Sequence, residues 1–145
     1  MKILICGYGN IGQKTKEEIK DLTAQGHSIY IYDIKDNETY KNLNKTYDFC
    51  FVCVSTDMLP DGSCDVSNVF ECIDRVNANI FVIKSTVPPK TCEWIEASYS
   101  DKKVVFSPEF YGTTIHAPTN LNFLILGGRN IISSIQQFFN YTFYT

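Results

Sequence analysis

Gly7, Gly9 and Gly12 follow directly on an apolar run, Ile3-Leu-Ile-Cys6, near the start of the chain. A strand that breaks into Gly-x-Gly-x-x-Gly and then a helix is suited to holding a pyrophosphate. The first glycine permits a tight turn, and the second removes a Cβ where backbone must approach phosphate. The third lets the helix pack closely on the strand. The amides of Asn10, Ile11 and Gly12 then face the negative charge from the helix N-terminus. A second apolar run, Ser28-Ile-Tyr-Ile-Tyr32, ends in Asp33, twenty-one positions after Gly12. An acidic residue there accepts both hydroxyls of an adenosine ribose. The same charge repels a 2′-phosphate, so NAD is the expected cofactor rather than NADP.

The surrounding pattern must position these groups. A helix is expected from about Ile11 to Gln25, with Ile11, Thr15, Ile19 and Leu22 on one face and Gly26 closing it. A polar stretch, Lys35 to Lys45, reads as a loop with a short helix, and a third strand covers about Asp48 to Val54. Loop Ser55 to Asp65 contains the turn Pro60-Asp-Gly62. A helix from Asp65 to Val76 follows, with Asp65 at its N-cap and Val66, Val69, Phe70, Ile73 and Val76 inward. Later strands are expected at Asn79 to Lys84, Lys103 to Phe106 and Leu121 to Leu126, with helices at Thr91 to Tyr99 and Ile131 to Phe139. Strands alternating with helices predict an α/β fold: a Rossmann-type doubly wound, mostly parallel sheet with helices on both faces. The expected strand order is 3-2-1-4-5-6, with the ligand across the carboxyl ends of strands one and four.

The chain of 145 residues suits one domain, residues 1–145, with no linker or repeat. A net charge of −3 offers no basic patch, which argues against nucleic acid as a partner. No apolar run approaches the roughly 18–20 residues that span a bilayer, so no membrane partner is expected. The start lacks a signal peptide's apolar core, and a cytoplasmic setting follows. The six cysteines are then reduced thiols, mostly small core residues. Cys50 and Cys53 lie in one apparent strand, where residues three apart face opposite sides, so no metal site is expected.

Four blocks in order resemble the UDP-glucose/GDP-mannose dehydrogenase family. After the glycine turn come Phe51-Val-Cys-Val-Ser-Thr56 and Asp61-Gly-Ser-Cys-Asp-Val-Ser67. Then come Ile83-Lys-Ser-Thr-Val-Pro88 and Phe106-Ser-Pro-Glu-Phe110, with a glycine pair at Gly127-Gly128. The resemblance covers essentially the whole chain and corresponds to the family's N-terminal, NAD-binding domain. It implies two-step oxidation of a sugar C6 alcohol with two NAD, through an enzyme-bound thioester. It implies that Val54, Ser55 and Thr56 border the adenosine ribose and pyrophosphate, and that Ser85 and Thr86 sit beside the nicotinamide. Thr86 would position a water or hydroxyl there, and Glu109 would manage protons as a general acid/base.

The departures shape the functional expectation. Asp57 stands where the family has proline, which would loosen that loop, and Thr113 stands where it has a second glutamate. None of the six cysteines has the context of the family's nucleophile, which lies in a later domain with the sugar contacts. The chain is therefore expected to bind NAD but to be incomplete for catalysis alone, taking a nucleotide sugar only with a partner chain. Two alternatives stay open. One is a non-catalytic NAD- or nucleotide-binding module; the other is a minimal NAD-dependent reductase in which Thr86 and Glu109 serve another small alcohol. Phe138, Phe139, Tyr141, Phe143 and Tyr144 crowd the tail, which predicts a homodimer or partner contact there, or a self-cap.

Overall fold

The computed structural model describes residues 1–109, 123–128 and 142–144. Five strands form one parallel sheet: β1 Lys2–Cys6, β2 Ser28–Tyr32, β3 Thr46–Val52, β4 Asn77–Ile83 and β5 Lys103–Phe106. Their order is β2-β1-β3-β4-β5. This corrects the expected 3-2-1-4-5-6 arrangement, because the third strand lies beside β1 on the side away from β2. Burial explains the difference. The run Phe49–Val52 is buried on both faces, which suits a central strand, whereas β2 is fully buried only at Tyr32 and forms the edge. The link between them, a 3-10 segment over Asn37–Asn44, carries the chain past β1.

The expected sixth strand also lies outside this sheet. β6 (Phe123–Ile125) pairs in parallel with β7 (Thr142–Tyr144) in a separate two-stranded ladder. That segment meets the main sheet through the Phe106–Gly127 bridge, whose two amide-to-carbonyl bonds are 2.7 and 2.8 Å. The expected helix at Ile131 to Phe139, and Phe138, Phe139 and Tyr141 of the tail, lie outside the described residues.

Alternation along the strands sorts the core into two faces. Ile3, Ile5, Phe49, Phe51, Ile80 and Val82 join Ile19 and Leu22 on one face, under α1 (Asn10–Glu18) and α2 (Asp21–Ala24). Leu4, Cys50, Val52, Phe81 and Ile83 meet Val69 and Ile73 of α3 (Ser67–Arg75) and Ile95 of α4 (Thr91–Ser98) on the other. Cys50 and Cys53 thus fall in opposite layers, as two strand residues three apart must.

The first helix is shorter than its periodicity suggests. At Lys20 the hydrogen bonding tightens, with its amide reaching the Glu17 carbonyl, and the chain resumes as α2. Gly26 then closes it at φ +84, with Gly26 N–H on Thr23 O and His27 N–H on Leu22 O. That pair of bonds is the Schellman termination, which glycine alone enters without strain. Among the described residues no helix is long and apolar enough to cross a membrane.

Candidate functional site: a cleft at the carboxyl ends of β1 and β3

The glycine turn separates into three roles. Gly7 leaves β1 at φ +87 and donates its amide to the Tyr32 carbonyl at 2.8 Å. A Cβ there would lie 2.7 Å from the Cys53 carbonyl oxygen. A Cβ on Gly12 would lie 2.1 Å from the Gly7 carbonyl oxygen, so the helix can pack on the turn only with glycine here. Gly9 differs: a Cβ would meet nothing within 4 Å. The fold does not fill the space over Gly9, which is the condition for a ligand to come close. Gly9 is also the N-cap of α1, which has no side-chain cap and no acidic residue in its first turn. The leading amides of α1 therefore remain available to an anion.

Gly7 and Gly9 open onto a cleft of about 550 Å³, within the roughly 300–1,000 Å³ of small-molecule sites. Asp33, Val54 and Ser55 line it too. Its place between β1 and β3 follows from the strand order, since these adjoining strands have their next neighbours on opposite sides. Such a switch point opens a crevice at the carboxyl ends. The cleft therefore lies beside strands one and three rather than one and four.

Asp33 is half-buried, and both its oxygens are engaged. Oδ2 accepts the Tyr8 amide at 2.6 Å and Oδ1 the Lys35 amide at 2.8 Å. An ionised carboxylate has about four acceptor positions, so capacity for a diol remains. Asp33 thus braces the glycine turn while facing the cleft. Thr39 fixes its backbone, accepting the Asp33 amide at 3.0 Å.

The second loop is held from both sides. Buried Ser85 donates its hydroxyl to the Val54 carbonyl at 2.7 Å, and Thr56 donates to the Thr86 carbonyl at 2.7 Å. Asn68 of α3 donates to the Ser55 carbonyl at 3.1 Å. Asp57 does not leave this loop loose. Its carbonyl accepts the Asp65 amide at 2.8 Å, and an antiparallel bridge joins Met58 to Cys64. Asp65 lies just outside α3 and accepts the Ser67 amide at 2.9 Å; the Ser67 hydroxyl first, and this amide second, lower its carboxyl below the ordinary value.

The described structure thus brings Gly7, Gly9, Asp33, Val54 and Ser55 to one cleft. Asn10 opens α1 in solvent, while Ile11 packs half-buried on the core. Thr56 and Ser85 serve as ties between loops, and Thr86 is exposed beside them. Glu109 follows β5 and pairs with the Lys84 ammonium, which also reaches Glu18 Oε2 at 3.3 Å.

Several lining residues carried no motif signal. Cys6 and Cys72 line the cleft as thiols held well above their ordinary pKa. For Cys6 the hydrogen bond with Cys72 dominates, and for Cys72 burial does. Arg75 closes the same wall, donating to the Tyr32 hydroxyl at 3.3 Å and pairing with Glu71 at 3.1 Å. Its place four residues after Glu71 was the available hint. Among the described residues, no group of three or more His, Cys, Asp or Glu side chains could hold a metal ion.

Residues 34–137 match the model of the UDP-glucose/GDP-mannose dehydrogenase family, NAD binding domain. A UDP-glucose 6-dehydrogenase of Rickettsia felis is 34% identical over 133 residues, covering 74% of this chain and 30% of that protein. The enzyme of Rickettsia prowazekii is 32% identical over 93 residues, covering 58% of this chain and 21% of its own length. The chain therefore spans less than a third of either relative. Among solved structures, a UDP-glucose dehydrogenase from Pyrobaculum islandicum superposes with a TM-score of 0.67 at 20% identity. That match covers 94% of this chain and 42% of the other. A GDP-mannose dehydrogenase from Pseudomonas aeruginosa gives 0.68 at 17%, covering 99% and 45%. These structural likenesses share the fold, and the family match carries the kinship. This chain belongs to the UDP-glucose/GDP-mannose dehydrogenase family and corresponds to its NAD binding domain.

Proposed function

We propose that the chain binds NAD in this cleft, as the cofactor-holding unit of a nucleotide-sugar oxidation. The observation that carries the reading is the open space over Gly9 between two glycines that the fold itself requires. The amides of Asn10, Ile11 and Gly12 hold the pyrophosphate, and Asp33 takes the adenosine ribose. Val54, Ser55 and Thr56 border the dinucleotide, and Ser85 and Thr86 stand at its nicotinamide end. When bound, NAD supplies the hydride acceptor. Thr86 orients a hydroxyl there, and Glu109 holds or takes a proton. Cys6, Cys50, Cys53 and Cys72 are buried with raised pKa values and do not supply a nucleophilic thiol.

The nucleotide sugar is accordingly taken together with a partner chain, and UDP-glucose is not converted to its uronate by this chain alone. The aromatic tail at 138–144 makes the contact, as a homodimer or with that partner, or it caps its own chain, a reading supported by the pairing of Thr142–Tyr144 with β6. The free thiols support a reducing, cytoplasmic setting. Amide chemical-shift mapping during addition of NAD tests the site. The signals of Gly7, Gly9, Asp33, Val54 and Ser55 should move together, and shifts confined elsewhere would overturn it. Light scattering on the intact chain and on one ending at Asn140 tests the tail.

A further inference from the structure

Lys84 is the most deeply buried charge among the described residues, with its side chain 2% exposed. Lysine is almost never buried so completely unless paired. Here two carboxylates reach one ammonium: Glu18 from the end of α1, 17% exposed, and Glu109 from the segment after β5, 9% exposed. The backbone around the three is fixed. The Lys84 amide donates to the Val52 carbonyl at 2.9 Å, and the Ser107 amide donates to the Ile83 carbonyl at 2.9 Å. The segment carrying Glu109 is therefore registered against the strand carrying Lys84. Cys53, at the end of β3, completes the surroundings as a thiol pushed up to about 12 by burial.

We infer that Lys84 is a positioning residue for Glu109, its ammonium fixing that carboxylate at the carboxyl end of β4 while Glu18 anchors the lysine to α1. The consequence for catalysis rests on reading Glu109 as the acid–base group. The placement itself rests only on the ion pairs and their burial. With two carboxylates on one cation, the cluster carries one negative charge in excess. Glu18 therefore opposes the ionisation of Glu109, and Lys84 favours it. An ordinary surface ion pair would do neither, because solvent would screen it.

Carboxyl carbon NMR on the full chain follows the titration of Glu109, assigned by its loss in Glu109→Gln. In Lys84→Met the midpoint should rise by about 1–3 pH units, and Lys84→Arg should restore it. In Glu18→Gln, which keeps the lysine in place, the midpoint should fall. If Lys84→Met fails to fold, Glu18→Gln and Lys84→Arg decide alone: no fall in the first, or a raised midpoint in the second, overturns the inference. Equal midpoints in the parent and Lys84→Met also overturn it. The readout needs no cofactor, so an absence of NAD binding would count against the cofactor reading and leave this one standing.

Discussion

Alanine at Gly9 and alanine at Gly12 separate folding from binding. The Gly12 Cβ would sit nearly 1 Å inside the 3.0 Å that Cβ atoms keep from other atoms, and it would face the Gly7 backbone. Backbone at a φ of +87 cannot yield as a flexible side chain could. Overpacking of this kind costs about 1–3 kcal/mol. For a chain of this length, at about 2–4 °C per kcal/mol, the melting temperature should fall by roughly 2–12 °C. The Gly9 Cβ would meet no protein atom within 4 Å, so Gly9→Ala should melt within about 2 °C of the parent. In the proposed site that methyl would stand in the path of the pyrophosphate. Losing close amide contacts should weaken NAD binding by about 10–100-fold, or about 1.4–2.8 kcal/mol. Thermal denaturation and calorimetric titration of both variants give the comparison. A Gly9→Ala protein that melts normally and binds NAD as tightly as the parent refutes the route of the pyrophosphate over Gly9. A Gly12→Ala protein of undiminished stability refutes the packing argument.

Asp33→Ala should weaken NAD by about 1–3 kcal/mol, since a charge-assisted hydrogen bond is lost, and should also free the Tyr8 and Lys35 amides. Titration calorimetry with melting as a control checks it. Alkaline pH should destabilise the fold through its buried thiols. Cys53 at about 12 and Cys92 at about 11 are raised by burial. Their stabilisation is complete below the unfolded value near 9 and fades as pH rises towards the folded ones, which melting from pH 8 to 11 will show. Asp65 works in the opposite sense. Its carboxyl is lowered by Ser67, so its support of α3 is present above the ordinary carboxylate value and fades as acid takes pH through the lower folded one. Asp65→Asn should flatten that acid limb. With a thiol reagent, half-buried Cys64 and Cys92 should react in the native protein, while Cys6, Cys50, Cys53 and Cys72 await unfolding.

The parts of the site that depend on short stretches of chain were legible in the sequence. The glycine spacing and the strand ending in Asp33 each lie within one motif, whereas the ties of Thr56 to Thr86 and of Ser85 to Val54 join residues 30 and 31 positions apart. Strand order was not legible from alternation alone, because any parallel arrangement satisfies it. The distinction lay in which run is apolar on both faces, Phe49-Cys-Phe-Val52, and which is half-exposed, Ile29-Tyr-Ile-Tyr32. The Lys84 cluster was hidden for another reason. Lys84 lies in a quoted motif, but Glu18 is 66 positions away, and only the packing of α1 over the sheet brings them together. Arg75 and Cys72 entered the cleft wall in the same way, through the packing of α3 against the sheet.

Calorimetric titration of NAD, and separately of NADP, into the parent chain decides whether the cleft is a dinucleotide site. Saturable binding of one NAD per chain is the expected result. NADP should bind at least about tenfold weaker, because the proposed ribose site sets the Asp33 carboxylate against a 2′-phosphate. Absence of NAD binding by a folded chain, or equal affinity for the two dinucleotides, would contradict the cofactor reading.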